Sequence, residues 1–121
     1  MDNVRGQLGR WGEKLAAEYL TSLGYRVLLR NWRCPAGEID LVAQVDDILA
    51  LIEVRTRRSH RYGTPEDSIT ANKRVRLIAC GEYLASELEW HGTWRIDIVA
   101  IDFESAGGPP RVRLIPNAIE R

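Results

Sequence analysis

The chain has 121 residues, 45% of them hydrophobic and 28% charged, with 17 Lys and Arg matched by 17 Asp and Glu. Such a length and mix describe one globular domain, residues 1–121, with its own core, and exclude a disordered or low-complexity chain. No apolar run approaches the roughly 20 residues of a membrane span, and the opening Met1-Asp2-Asn3-Val4-Arg5-Gly6 lacks an apolar signal core. Cys34 and Cys80 form no paired motif, which argues against a zinc site or a disulfide framework. The expectation is a cytoplasmic protein with buried or incidental thiols and no membrane partner.

Val4, Leu8, Trp11, Leu15, Tyr19 and Leu23 recur at spacings of three and four. This predicts an opening helix with one apolar stripe, ended by Gly24. Gly6, Gly9 and Gly12 weaken its first turns, each by ~1 kcal/mol relative to alanine. They mark either a frayed end or the close approach of another backbone. Three strands follow, over 25–32, 37–45 and 48–56, with Pro35-Ala36-Gly37 breaking the first from the second. A loop over 57–67 carries Gly63 and Pro65. A second helix then starts at 68 or 70 and runs to 89, with Leu77, Cys80, Leu84 and Leu88 as its buried stripe. A fourth strand is expected over 93–103, a turn over 106–110, and a short edge strand over 111–115. The order αβββαββ predicts an α/β fold in which helices flank a mixed sheet.

The second and third strands carry Gly37-Glu38-Ile39-Asp40-Leu41 and Ile52-Glu53-Val54-Arg55, separated by Val45-Asp46-Asp47-Ile48. If Asp46-Asp47 is a two-residue hairpin tip, Asp40 lies opposite Glu53 and Glu38 opposite Arg55. All four then share one face, with Ile39, Leu41, Ala43, Ile52 and Val54 on the other, core-facing side. Two facing carboxylates repel and call for a counter-ion. A hard divalent cation suits them, because magnesium accepts one or two carboxylates plus phosphate and water. The Val54 carbonyl could be a third oxygen ligand. Glu13 joins the cluster if the first helix crosses the hairpin's polar face. A register slip of one residue would turn Asp40 and Glu53 to opposite faces. The competing reading is an ordinary cross-strand pair of Glu38 with Arg55, and of Glu53 with Arg57 or Arg33, worth ~1 kcal/mol or less.

Net charge is zero, yet residues 55–76 carry Arg55, Arg57, Arg58, Arg61, Lys73, Arg74 and Arg76 against only Glu66 and Asp67. Arg26, Arg30 and Arg33 form a second basic series. Solvated faces explain each cluster alone; beside an acidic hairpin they also fit a phosphate-binding margin, with Arg57, Arg58, Lys73 and Arg76 as its candidates.

Asp40, twelve residues, then Glu53-Val54-Arg55 resembles the D…(D/E)-x-K signature of the restriction-endonuclease-like nucleases. The element order is similar to that superfamily, in particular to archaeal Holliday-junction resolvases, in which a first-helix glutamate joins the site. More closely, the chain resembles the YraN family of small bacterial proteins. The matching residues are Gly9-Arg10-Trp11-Gly12-Glu13, Ala17-Glu18-Tyr19-Leu20, Gly37 to Val42, Glu53 to Arg57, Lys73, and Arg95-Ile96-Asp97. The resemblance implies a nuclease-like fold with a magnesium or manganese site at Asp40, Glu53 and Val54. Arg55 and Glu13 would assist the hydrolysis of phosphodiester bonds in DNA, branched or single-stranded forms included. It also implies a homodimer acting on two strands. The chain departs from the signature at Arg55, since arginine stays charged and cannot serve as a general base. Lys73 is the nearest lysine by resemblance. A protein that keeps the fold and binds nucleic acid without cutting it is the alternative.

Other signals point to structure. His60 and His91 have no partner at metal-ligand spacing, and Trp90 and Trp94 suit a helix-to-strand turn over the core. Trp32 suits core packing more than base stacking. Asp97, alternating with apolar neighbours, suits pairing with an arginine.

Overall fold

The first helix, α1 (Val4–Ser22), is not buried along its stripe of large residues. In the computed structural model, which describes residues 4–58, 63–103 and 107–120, Trp11 is 40% and Leu23 47% exposed. The helix instead packs through Gly12, Ala16, Ala17 and Leu20. A Cβ at Gly12 would lie 2.5 Å from Thr56 Oγ1, so this glycine marks a close approach and not a frayed end. Small residues let the helix axis sit low on the sheet, at the cost of leaving its larger side chains at the rim. Gly24, with φ 93°, ends the helix. The Gly24 amide donates to Thr21 O and the Tyr25 amide to Leu20 O, which closes the last turn in the Schellman pattern.

Five strands follow the order β1 (Arg26–Cys34), β2 (Gly37–Val45), β3 (Ile48–Arg57), β4 (Trp94–Asp102) and β5 (Arg111–Ile119). All neighbours pair antiparallel except β3 with β4, which are parallel and joined through α2 (Ala71–Glu87). Thr70 caps α2, its hydroxyl accepting the Lys73 amide at 3.1 Å. A short 3-10 turn at Glu66–Ser68 precedes it. The last strand is longer than its hydrophobic pattern suggests and carries Pro116, which an edge strand tolerates. The architecture is α/β, α1-β1-β2-β3-α2-β4-β5, consistent with a restriction-endonuclease-like fold.

Both faces of the hairpin are covered, contrary to the expectation of one polar face. Leu41, Ala43, Ala50 and Ile52 pack with α1, while Val42, Leu49 and Leu51 pack with α2 through Leu77, Cys80 and Leu84. Helix α1 therefore lies on the apolar face and does not cross a polar one. Leu88, expected in the second helix's buried stripe, is 46% exposed at its C-cap. Gly81 completes the stripe: the Trp94 ring packs so closely on it that a Cβ there would lie 2.1 Å from the indole.

Candidate metal centre

Charged side chains of β2 and β3 gather at the open end of the hairpin. The β2–β3 ladder runs from Val45↔Ile48 to Leu41↔Ile52, the register the Asp46-Asp47 turn predicts, and stops there. Beyond it β2 stays with β1 as far as Cys34↔Gly37, while β3 stays with β4 as far as Arg57↔Asp102. The two central strands therefore diverge where Asp40 and Glu53 would next have faced each other.

Leu49 donates its amide to Thr93 O, and Arg57 O accepts from the Phe103 amide. Odd-numbered residues of β3 thus bond toward β4, and even-numbered ones present amide and carbonyl toward β2. Val54 is the first even residue past the ladder. Its amide donates to Asp40 Oδ2 at 2.8 Å, so a carboxylate stands in for the missing strand partner. The Val54 carbonyl leaves on the same side.

Glu53 is 4% exposed and stands among charges. Arg55 Nη2 lies 3.5 Å and Lys73 Nζ 3.6 Å from its Oε2. Burial, and then the charge and hydrogen bond of Asp40, push the Glu53 carboxyl up from 4.5 to about 7. Lys73 and Arg55 pull the other way without cancelling the rise. Burial beside Asp40 thus favours the protonated Glu53 carboxyl even with both cations in contact, and two adjoining carboxylates fit a site for a hard divalent cation. Among the described residues, no three His, Cys, Asp or Glu side chains stand close enough to cage a metal. The available donors are two carboxylates and a main-chain carbonyl, a set that magnesium accepts with water completing the shell.

Glu13 adds to the acidic field from α1. Burial and the charges of Asp40 and Glu38 raise its pKa, opposed by a hydrogen bond to Asn31. Asn31 adopts φ 51° on β1, and sequence reasoning had not singled it out. Glu38 pairs with its ladder partner Arg33 at 3.4 Å, not with Arg55. Lys73, Arg76, Glu38, Gly37 and Leu77 line a small cleft beside the carboxylates.

The basic candidates separate. Lys73 and Arg76 sit at that cleft, whereas the Arg57 guanidinium turns inward, donating to Asp102 Oδ1 at 3.0 Å and Gly63 O at 2.9 Å. Arg58 lies over the Phe103 ring, 6.0 Å from its centroid, and Trp11 meets the same ring edge-on. Arg61 and His60 fall outside the described residues. Asp97 is fully buried and structural: it accepts from Arg95 Nε at 2.9 Å, the Asn117 amide at 2.8 Å and the Tyr25 hydroxyl at 3.2 Å. These bonds hold the β4–β5 bulge between Ile96 and Ile98. Trp32 packs at the core margin, 6.1 Å from Tyr83. No helix among the described residues is long and apolar enough to cross a membrane.

Comparison with known proteins gives a consistent match over this whole framework. The description "Uncharacterised protein family UPF0102" fits residues 12–101, which include Glu13, Asp40, Glu53 and Lys73. A UPF0102 protein of Roseiflexus castenholzii is 46% identical over 99% of this chain and 98% of its own. One from Dehalococcoides mccartyi is 44% identical over 95% of this chain and 94% of its own. Another, from Symbiobacterium thermophilum, is 44% identical over 93% and 95%.

Proposed function

We propose that this chain, which belongs to the uncharacterised protein family UPF0102 (the YraN family), is a divalent-metal-dependent endonuclease acting on DNA. The observation that carries the reading is the meeting of Asp40 and the buried Glu53 where β2 and β3 part, with Arg55 and Lys73 in contact with Glu53. Asp40, Glu53 and the Val54 carbonyl would hold a magnesium or manganese ion. Such an ion supplies Lewis acidity toward a phosphate oxygen and a more acidic bound water. Asp40 is held in place by the Val54 amide and needs no rearrangement to act as a ligand. Glu53, whose carboxyl is raised to about 7 by burial and Asp40, would bind such an ion in its ionised form. Arg55, a permanent cation 30% exposed at the side chain, is placed to bind the scissile phosphate and offset its developing charge. Lys73 is the amine nearest the carboxylates and could orient the attacking water through its ammonium. Arg76, at the cleft with Lys73, extends the basic margin along which a phosphate backbone can lie. Glu13 tunes the field at Asp40 from the far side.

The restriction-endonuclease-like topology supports a nucleic-acid substrate, and branched or single-stranded DNA is the form suggested by the resolvases that the sequence resembles. A homodimer would present two such sites to two strands. A second reading, a nucleic-acid-binding protein that does not cut, is favoured by Arg55 standing where the superfamily signature has lysine.

A panel of duplex, single-stranded, flap and four-way-junction DNA incubated with magnesium or manganese separates the two readings. Asp40→Asn, purified in parallel, controls for a contaminating nuclease. Cleavage by the wild type alone is expected. Salt-sensitive DNA retention that is unchanged by Asp40→Asn or by chelator, with no cleavage, would instead establish the binding module.

A further inference from the structure

Cys34 closes β1 and Cys80 lies in α2, and they look unrelated in sequence. The fold brings their sulfurs to 3.5 Å, although 46 positions separate them. Both are free thiols. The turn after Cys34 allows the approach: Gly37 sits so close that a Cβ there would lie 3.4 Å from Cys80 Sγ. A disulfide needs sulfurs about 2.05 Å apart, so closure requires a movement of about 1.5 Å.

We propose that Cys34 and Cys80 form a reversible dithiol–disulfide pair, oxidised by a low-molecular-weight disulfide of the glutathione class that enters at Cys34. Cys34 is partly exposed, whereas Cys80 is completely buried. The Cys34 thiolate attacks one sulfur of the oxidant, breaks its S–S bond and releases one thiolate, leaving a mixed disulfide. Cys80 then loses its proton to the released thiolate or to water and attacks Cys34 Sγ. That step expels the second small thiol. Two protein thiols lose two electrons and two protons, and one small disulfide becomes two thiols.

The order of the two steps follows from the surroundings. The Cys80 thiol is pushed up to about 12, first by burial and then by the hydrogen bond and charge of Cys34. It is therefore a poor first nucleophile. Capping Cys34 removes its part of that rise while the larger part, burial, stays; Lys73 and Arg76 favour the thiolate, and the 3.5 Å approach to Cys34 Sγ makes the second step intramolecular. The bond would tie the turn leading into Glu38 to the helix that carries Lys73 and Arg76. The loop it closes contains the whole Asp40–Glu53 hairpin. This inference stands apart from the nuclease reading, because its readouts are covalent and thermal.

The test is to incubate the purified full chain with oxidised glutathione, unfold it, alkylate free thiols and weigh the intact protein. The expected product is a monomer lighter by two hydrogens, unalkylated, with Cys34 joined to Cys80 in a peptide map and reversed by dithiothreitol. Its unfolding midpoint should rise by roughly 5–15 °C. Cys80→Ser should stop at one glutathione adduct on Cys34, and Cys34→Ser should leave Cys80 unmodified. Two alkylated thiols, a persistent adduct on the wild type or a disulfide between two chains would overturn the proposal. Modification of Cys80 in Cys34→Ser would overturn the order of steps.

Discussion

Asp40 Oδ2 accepts the Val54 amide at 2.8 Å, just beyond the last ladder pair of β2 and β3, Leu41 with Ile52. The bond does two things at once. It satisfies a backbone donor that the parting strands would otherwise leave unpaired. It also fixes a carboxylate beside Glu53, so that Asp40 cannot swing away from the repulsion between them. Burial and that repulsion together favour the protonated form of Glu53, and a bound cation would relieve the repulsion. The site is thus built from the way the sheet comes apart.

Stability should fall as the pH rises between 4.5 and about 7 in the presence of chelator. The folded carboxyl of Glu53 is raised above its ordinary value, so in that window the folded protein keeps a proton that the unfolded chain has lost. The total loss is about 3 kcal/mol at 1.36 kcal/mol per pKa unit. Acidification restores it. Urea unfolding of the wild type and Glu53→Gln across this range should give a difference that slopes downward with pH. A level difference would mean that Glu53 ionises normally.

Replacing Asp40 should separate its two tasks. Asp40→Asn keeps an oxygen for the Val54 amide and removes the charge next to Glu53. At pH 8 without divalent ions it should match or exceed the wild type in stability. Asp40→Ala leaves the amide without its acceptor and should be about 1–3 kcal/mol less stable than Asp40→Asn. Denaturation midpoints of the two variants at equal m-values check this, and equal midpoints would remove the structural task.

Much of this centre is legible in the sequence because local rules govern it. A two-residue turn at Asp46-Asp47 fixes the β2–β3 register, and period-2 alternation puts Asp40 and Glu53 on one side. The end of that ladder is not legible, because it depends on β1 and β4 each holding a central strand. For the same reason the partners of Glu38 and Arg55 are misjudged: Glu38 goes to Arg33 on β1, and Arg55 stays with Glu53. The packing of α1 eludes pattern reading differently. Its buried face is built from Gly12, Ala16 and Ala17, residues that an apolar-stripe argument discounts in favour of Trp11 and Leu23. The Cys34–Cys80 approach is a purely tertiary contact.

Gly81→Ala should destabilise the protein even though alanine is the better helix former. The gain of up to ~1 kcal/mol in helix propensity meets a methyl placed 2.1 Å from the buried Trp94 ring. Overpacking a rigid ring costs typically 1–3 kcal/mol or somewhat more. A lower thermal midpoint with altered tryptophan fluorescence is expected. An unchanged midpoint would show that the ring has room to move.

Asp97→Ala should cost about 3–5 kcal/mol, because it removes the acceptor of Arg95 Nε, the Tyr25 hydroxyl and the Asn117 amide and leaves a partly buried cation without its carboxylate. The folded fraction should keep its affinity for divalent ions, since Asp97 belongs to the β4–β5 bulge and not to the carboxylate pair. Titrations corrected for folded protein check this, and a loss of ion binding would place Asp97 in the site.

The most direct test of the carboxylate pair as a cation site is calorimetric titration of manganese into the protein at pH 6.5, repeated in two buffers of different ionisation enthalpy. The expected result is one site per chain with release of a fraction of a proton, because Glu53 is largely protonated there and must ionise to become a ligand. Asp40→Asn should abolish the binding. Binding that persists in Asp40→Asn, or the absence of any heat from the wild type, would contradict the account.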